Sequence, residues 1–432
     1  MIIRVCLATA LLVMPITATA QGNPGPFGQL FGRAPASTGQ EQTLVEVRSD
    51  LSGMYDTMLM APEGERLDRT QSGAIAGASA GLIVDHTSER FDAGLRGGVA
   101  HEQHFRDPEP FGANRFSADA HVKARLSDRW ETEAAAAYAH LPTYQYFGSF
   151  GQTSGIAIDT ALLPFSPYSI ESMENESIDG SAAISGNLTD HSTLSARVGS
   201  RQMRFPQQPA SNYESRGYRA GWDYKFTRDL SVHAGYGHEK IDSNSDSGTG
   251  YDHEVIDLGV DYRKSFSLAR RTELAFTTST SIVKQTGFER QLRVNGSIVV
   301  TKNFRRTWRA GAEASRSTDF IPGFVEPVFS DFVGASLSGM FSKRVDWLSS
   351  VAAGQGREAF SGSQSFTTLT ATSRLSMAVS RHLQLYAQYV AYRSDVPRGS
   401  TTLQLPPRVD RQFVAFGVSA YIPVYRKVRQ GK

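Results

Sequence analysis

The 432-residue sequence predicts an all-β fold: a single transmembrane, antiparallel, up-and-down β-barrel of about 18 strands, with about 16 as the alternative. Three observations predict it. Apolar and polar side chains alternate with a period of two through most of the chain, the signature of strands with one apolar face. Short polar turns recur about every 38 residues from Asp190 onward, which marks a repeated hairpin and not an array of domains. Beyond the first turn-free stretch at the N-terminus, no apolar run approaches the roughly 20 residues of a membrane helix, whereas a strand crosses in about 10 with half its side chains polar.

The chain opens "MIIRVCLATALLVMPITATAQG". Arg4 precedes an apolar run of roughly 12 residues, and Ala18-Thr19-Ala20 supplies the small residues of a cleavage site, so residues 1–20 read as a signal peptide. Cys6, the one cysteine of the sequence, leaves with it, and the exported chain then has no disulfide, thiolate nucleophile or cysteine metal site. Residues 21–41, rich in Gly and Pro, read as a flexible periplasmic lead. The barrel is expected over 42–426, followed by a basic tail at 427–432. Net charge is +2, and +1 once Arg4 is removed, so nothing draws the protein to nucleic acid.

Taken in order, the first half offers strands at 43–57, 73–86, 91–101, 115–126, 130–140, 177–188, 192–203, 217–226 and 230–241. "FSADAHVKARL" shows the rule: Phe116, Ala118, Ala120, Val122, Ala124 and Leu126 share one face, and Ser117, Asp119, His121, Lys123 and Arg125 the other. After Ser127-Asp128-Arg129 the alternation restarts with Trp130, Thr132, Ala134, Ala136 and Tyr138 against Glu131, Glu133, Ala135, Ala137 and Ala139. The alanine run is therefore strand and not helix, since no spacing of three or four residues appears in it. The second half offers strands at 255–263, 272–283, 291–300, 308–317, 332–341, 347–355, 367–379, 383–393 and 412–424. Turns at Asp128, Asp190, Asp229, Arg305, Arg344 and Arg381 alternate with longer connections such as "HFRDPEPFGANR" and "SNSDSGTGYD". Short turns on one side and long loops on the other are the habit of membrane barrels. Trp130, Trp308 and Trp347 stand just after short turns, with Tyr138, Tyr236 and Tyr389 farther along, as interfacial girdles would. An even strand count puts both chain ends on one side.

The hairpin units "LSDRWETEAAAAY", "FTRDLSVHAGYGH" and "VSRHLQLYAQYVAY", with the leader, make the chain similar to Gram-negative outer-membrane β-barrels, in particular the β-barrel porin families associated with exopolysaccharide systems. That resemblance implies a cell outer membrane location, contact with its lipids and lipopolysaccharide, folding by the barrel-assembly machinery, and possible homo-oligomers. It also implies a channel, or an accessory barrel in exopolysaccharide secretion. Such barrels usually end on an aromatic residue; here Tyr421 and Tyr425 precede a basic tail, and Tyr425 is expected to close the last strand.

On the expected lumen face stand Arg96, Arg125, Arg197, Arg201, Arg219, Arg293, Arg309 and Arg374, with Lys123 and Lys225. Opposed to them are Asp92, Asp119, Glu131, Glu133, Asp223, Asp257, Asp261 and Glu313. Charges lining a wet pore sort polar solutes, carbohydrates among them, and the bland alternative is solvated pairs that only keep the interior wet. Between the fifth and sixth strands, the third long loop runs for about 35 residues, beyond ordinary connectors. Its Tyr144, Tyr146, Phe147, Phe150, Phe165 and Tyr168, around the apolar "IAIDTALLPF" with Asp159, are expected to narrow the lumen. The alternative is a surface cap.

Other constellations read as architecture. "DSNSDSGTGYDHE" sets Asp242, Asn244, Asp246, Asp252 and Glu254 in a loop, but Ser247 replaces the turn glycine of a calcium loop and the last carboxylate is misplaced. "GASAG" matches a nucleophile elbow in letters only, because the motif needs a strand, a sharp turn and a helix. His86, His101, His121, His233 and His238 show no metal spacing. No catalytic residue, metal or cofactor is expected, and a hydrolase is the third reading.

Overall fold

The computed structural model describes residues 40–59, 71–105, 110–141, 174–207, 209–243, 250–265, 272–285, 288–304, 307–319, 326–360, 365–395 and 408–430. The signal peptide, the N-terminal lead up to residue 39 and most of the third long loop lie outside these residues, while residues 40 and 41, expected in the lead, already belong to the first strand. Eighteen strands form one antiparallel sheet. They are β1 (Gln40–Leu59), β2 (Gln71–Thr87), β3 (Phe91–Phe105), β4 (Phe111–Arg125), β5 (Trp130–Leu141) and β6 (Asn175–Asn187). Next come β7 (Ser192–Arg204), β8 (Tyr213–Lys225), β9 (Leu230–Ser243), β10 (Gly250–Ser265), β11 (Thr272–Gln285) and β12 (Gln291–Phe304). The circle is completed by β13 (Trp308–Asp319), β14 (Val328–Ser342), β15 (Val345–Glu358), β16 (Ser365–Ala378), β17 (Leu383–Asp395) and β18 (Arg408–Gln430). Each strand pairs with its neighbours in sequence, and β1 pairs with β18, so the sheet is a closed barrel. Closure matters because it leaves no unpaired edge, the one way a sheet can sit in hydrocarbon.

Most of the tight turns among the described residues share one chemistry. Five of them begin with a Ser or Thr whose hydroxyl accepts backbone N–H groups two or three residues on: Ser127 from Arg129 (3.3 Å) and Trp130 (3.2 Å), Thr189 from His191 (3.2 Å), Thr227 from Asp229 (3.2 Å) and Leu230 (3.1 Å). Ser342 and Ser380 do the same for Arg344 and His382, both at 3.2 Å. The side chain satisfies donors that a reversing backbone leaves free.

The outer and inner faces divide as the alternation demands. Leu95, Val99, Val122, Val198, Leu258 and Ile298 are all exposed on the outside. A sheet that shows such a surface all round suits hydrocarbon and not water. Toward the turn side the outer surface carries rings in contact: Trp308 lies 5.1 Å from Phe341 and 6.0 Å from Trp347, and Tyr224 lies 5.0 Å from Phe226. Gly186 and Gly339 lie directly beneath Trp130 and Trp308, where a Cβ would collide with the indole. Trp222 and Trp347 donate to Ser192 (2.7 Å) and Ser373 (2.9 Å), so both indole N–H groups are satisfied within the protein.

The strands run farther than their apolar alternation. On the loop side of β8, Glu214 and Arg216 share the outer face with Tyr218, and on β10 Asp252 and Glu254 do so with Ile256. Backbone pairing continues above the height at which the outer face must be apolar, so hydropathy marks only the middle of each strand. At the other end β18 continues to Gln430, and residues 427–430, expected as a tail, pair with residues 40–43.

Candidate functional site

The inner face is identified by what meets there. Met203, Tyr213, Ile241, Tyr251 and Val283, from β7 to β11, form one buried cluster with Phe366, Tyr392 and Val409 of β16 to β18, across the barrel. By alternation from these, Arg197, Arg201, Arg219, Asp223, Lys225, Asp257, Asp261 and Arg374 also face inward. The same rule places Arg96, Asp119, Lys123, Arg125, Glu131, Glu133, Arg309 and Glu313 on the inner face.

Several of them pair. Arg96 stands opposite Asp119, Lys123 opposite Glu133 and Arg125 opposite Glu131 in the ladder. The Lys123 ammonium reaches Glu131 at 2.7 Å. Arg201 lies 3.3 Å from Asp179, and Arg197 donates to Ser181 at 3.1 Å. His121 sits 3.2 Å from Asp92. Half-exposed pairs of this kind contribute about 0–1 kcal/mol each to stability, so their consequence is the field they set across the lumen.

The densest group is built on three adjacent strands. Asp223 (β8), His233 (β9) and Asp261 (β10) bring ligand-type atoms within 4.8 Å of one another. His233 Nδ1 lies 2.8 Å from Asp261 Oδ2, and Nε2 lies 2.8 Å from the Thr278 carbonyl and 3.1 Å from Asp257 Oδ1. Every neighbour of the ring is an acceptor, so both nitrogens donate and the ring is an imidazolium held among carboxylates. It has no lone pair for a cation or for general-base work. The carbonyl reaches the ring because the β10–β11 ladder breaks between Ile256 and Tyr262. A Cβ at Gly259 would strike the Thr278 carbonyl and the His233 ring, so only glycine fits there.

A second polar group, on β16 to β18 and β1, joins the expected Arg374 to residues such as Asp50, which the alternation in "TLVEVRSDLSGMYDT" puts on the inner face but which are not among the expected lumen residues. Asp50 accepts from Tyr386 Oη (2.9 Å) and from Ser419 Oγ. Arg374 stacks on the Tyr386 ring at 4.1 Å. Farther toward the loops, Arg411 Nε contacts both oxygens of Asp56 (3.1 and 2.9 Å), and the pair is almost fully buried. Glu46 and Arg48 form another buried pair on β1. This side of the interior is packed, and Arg374 is part of that packing, not of an open wall.

At the loop end the wall overlaps itself. The described ladder between β12 and β13 stops at Gly296 opposite Arg316. Beyond it, Thr318, which by alternation belongs to the outer face of β13, bonds to Ser281 (2.8 Å) and Asn295 (3.4 Å) on the inner faces of β11 and β12. Phe329, on the outer face of β14, lies under the Arg293 guanidinium at 4.6 Å. Arg293 also donates to the Ser330 carbonyl (3.1 Å) and to Asp331 (2.9 Å). The tops of β13 and β14 therefore lie inside the tops of β11 and β12. Val328, Phe329 and Phe332 join the cross-barrel cluster from this inward hairpin. Above it, Phe288 and Phe360 meet at 5.1 Å. Arg293 is thus an inner-face residue that clamps the overlap.

The expected constriction residues Tyr144, Tyr146, Phe147, Phe150, Asp159, Phe165 and Tyr168 lie outside the described residues. "GASAG" lies inside β2, without turn or helix. Of the loop acids, Glu254 is paired with Lys284, and Asp242 lies 3.3 Å from Lys240. Among the described residues no helix is long and apolar enough to cross a membrane, which says nothing of strands.

No family model and no curated protein matches the chain. Solved barrels are similar to it. Pseudomonas aeruginosa OccK7 (OpdD) aligns at 13% identity over 89% of this chain and 99% of its own, with a TM-score of 0.45. Acinetobacter baumannii OccAB4 aligns at 11% identity over 90% and 99%, with a TM-score of 0.42. Pseudomonas aeruginosa OccK2 (OpdF), solved in complex with glucuronate, aligns at 10% identity over 89% and 98%, with a TM-score of 0.45.

Proposed function

We propose that this chain is an outer-membrane channel through which small polar solutes, carbohydrates among them, pass passively along a charged lumen. One observation carries the reading: a closed barrel has an apolar outside and, inside, pairs such as Lys123–Glu131 and the Asp223, His233, Asp257 and Asp261 group. Passage is diffusion past fixed charges with no covalent step. The third long loop narrows the route, and its rings stack on sugar faces. The barrel is folded by the assembly machinery, and its rim meets lipopolysaccharide.

Planar-bilayer recording tests this. Purified protein is expected to give discrete conductance steps that added oligosaccharide blocks. Deleting 151–166 is expected to raise the conductance, and an unchanged step would sink the loop's role as a constriction. A sealed bilayer in every condition would favour the other role implied by the resemblance, an accessory barrel in exopolysaccharide secretion.

A further inference from the structure

The short turns do not share one charge. In the first half of the barrel each turn sets an acid beside a base: Glu89 and Arg90, Asp128 and Arg129, Asp190 and His191, Arg228 and Asp229. The two turns described in full in the second half carry bases alone. They are Lys343 with Arg344, between β14 and β15, and Arg381 with His382, between β16 and β17. Lys302, near the turn end of β12 on its outer face, extends the row. Lys302, Lys343, Arg344 and Arg381 are exposed, and among the described residues no acid pairs with any of the four.

These cations border rings and exposed apolar side chains. Lys302 Nζ stands 5.2 Å from the centroid of Phe304, which pairs with Trp308 across the hairpin. Phe341 stacks on Trp347 at 6.1 Å with Trp308 against both, and Lys343 and Arg344 follow Phe341 by two and three residues. From Trp347 the ladder passes to Leu375, and Val379, two residues before Arg381, is 46% exposed. Neighbouring hairpins lie two strand spacings apart, about 10 Å, so the four cations form a row of about 20 Å along the rim. Rings on the outside of a membrane barrel mark the headgroup level. The row therefore stands where a bilayer has its phosphates, with the apolar wall beside it where the same molecules have their tails. A water-borne acidic partner would use the cations and leave the rings and the apolar wall uncovered. A phospholipid of net negative charge covers all three, whereas a zwitterionic one brings a cation of its own.

We propose that the turn-side rim from β12 to β17 is a binding arc for anionic phospholipids of the leaflet it faces, and that the half with balanced turns is not. The phosphates sit at the ammonium and guanidinium groups of Lys302, Lys343, Arg344 and Arg381, and the chains run along Val351 and Leu375. The inference rests on the reading of the outer surface as lipid-facing and is independent of what passes through the lumen.

The tryptophans of the sequence divide between the halves and supply the test: Trp130 and Trp222 stand on β5 and β8, Trp308 and Trp347 on β13 and β15. W130F/W222F then reports the cationic half and W308F/W347F the balanced half. Each full barrel is reconstituted in phosphatidylcholine vesicles that contain a minor fraction of lipid with brominated chains, which quench indole emission on contact. The brominated lipid is phosphatidylglycerol in one series and phosphatidylcholine in the other. The ratio of quenching by the first to quenching by the second is expected to be about twofold or more higher at Trp308 and Trp347 than at Trp130 and Trp222. Each cation raises the local concentration of anionic lipid about fivefold, so K302Q/K343Q/R344Q/R381Q should bring the two halves level. R129Q/R228Q, in the balanced half, should not reduce the difference. If the quadruple variant does not fold, native protein in ~1 M salt, where the screening length falls to about 3 Å, should lose the difference in its place. Equal ratios in the two halves of native protein, or a difference that survives both the variant and the salt, overturn the proposal. No quenching of any tryptophan by either lipid would instead overturn the lipid-facing reading of the outer surface, so the two failures are distinct.

Discussion

Asp56 and Arg411 face each other from β1 and β18 with 1% and 6% of their side chains exposed, and their bidentate contact is the kind of pair in which removing one partner strands the other's charge. Arg411→Leu is expected to cost about 3–5 kcal/mol, measured by urea unfolding of the lipid-refolded barrel. Replacing both partners by apolar residues of similar size should recover most of that loss. Gly186 makes a different residue-scale claim. Its missing side chain is the floor on which Trp130 lies, so Gly186→Val should displace the indole and cost about 1–3 kcal/mol. Trp130 emission shifting to the red would report the displacement directly, and an unmoved spectrum would refute it.

At the scale of the element, the turns and the strands obey separate rules. The Ser or Thr that opens a tight turn is a local device: Ser127 closes the turn whose flanking residues belong to β4 and β5. Ser127→Ala should cost about 0.5–1.5 kcal/mol and should leave register untouched, because register is fixed by the inward and outward alternation of the flanking strands. Amide exchange confined to residues 125–131 would check this. The inward top of β13 and β14 is not local in that sense. Its sequence, alternating like its neighbours, gives no sign that its outer face will lie against the inner face of β11 and β12.

For the whole molecule, on the proposed channel reading, the balance of fixed charge sets selectivity. One imidazolium faces three carboxylates around His233, with Lys225 on the adjoining strand, so this stretch of lumen is net acidic. Neutralising Asp223, Asp257 and Asp261 together to Asn should move the reversal potential in a salt gradient toward anions. The move should shrink as salt rises, since screening falls to about 8 Å at physiological ionic strength. A salt-independent change would point to altered pore size instead.

The sequence by itself determined the fold class, the strand count and which residues share a face of each strand, because each of these is written in a period of two and a few turn hydroxyls. It placed Glu131 and Glu133 on one face with Lys123 opposite, as the ladder has them. By the same rule it could have included Glu46, Arg48 and Asp50. What only the tertiary structure decided is which inward residues meet. The Thr278 carbonyl reaches His233 through a break in the β10–β11 ladder, and Asp56 finds Arg411 through closure of the barrel by residues far apart in the chain. The overlap at the mouth is likewise tertiary: alternation tells which side of its own strand a residue occupies, and it carries no information on where two walls of a closed sheet slide past each other.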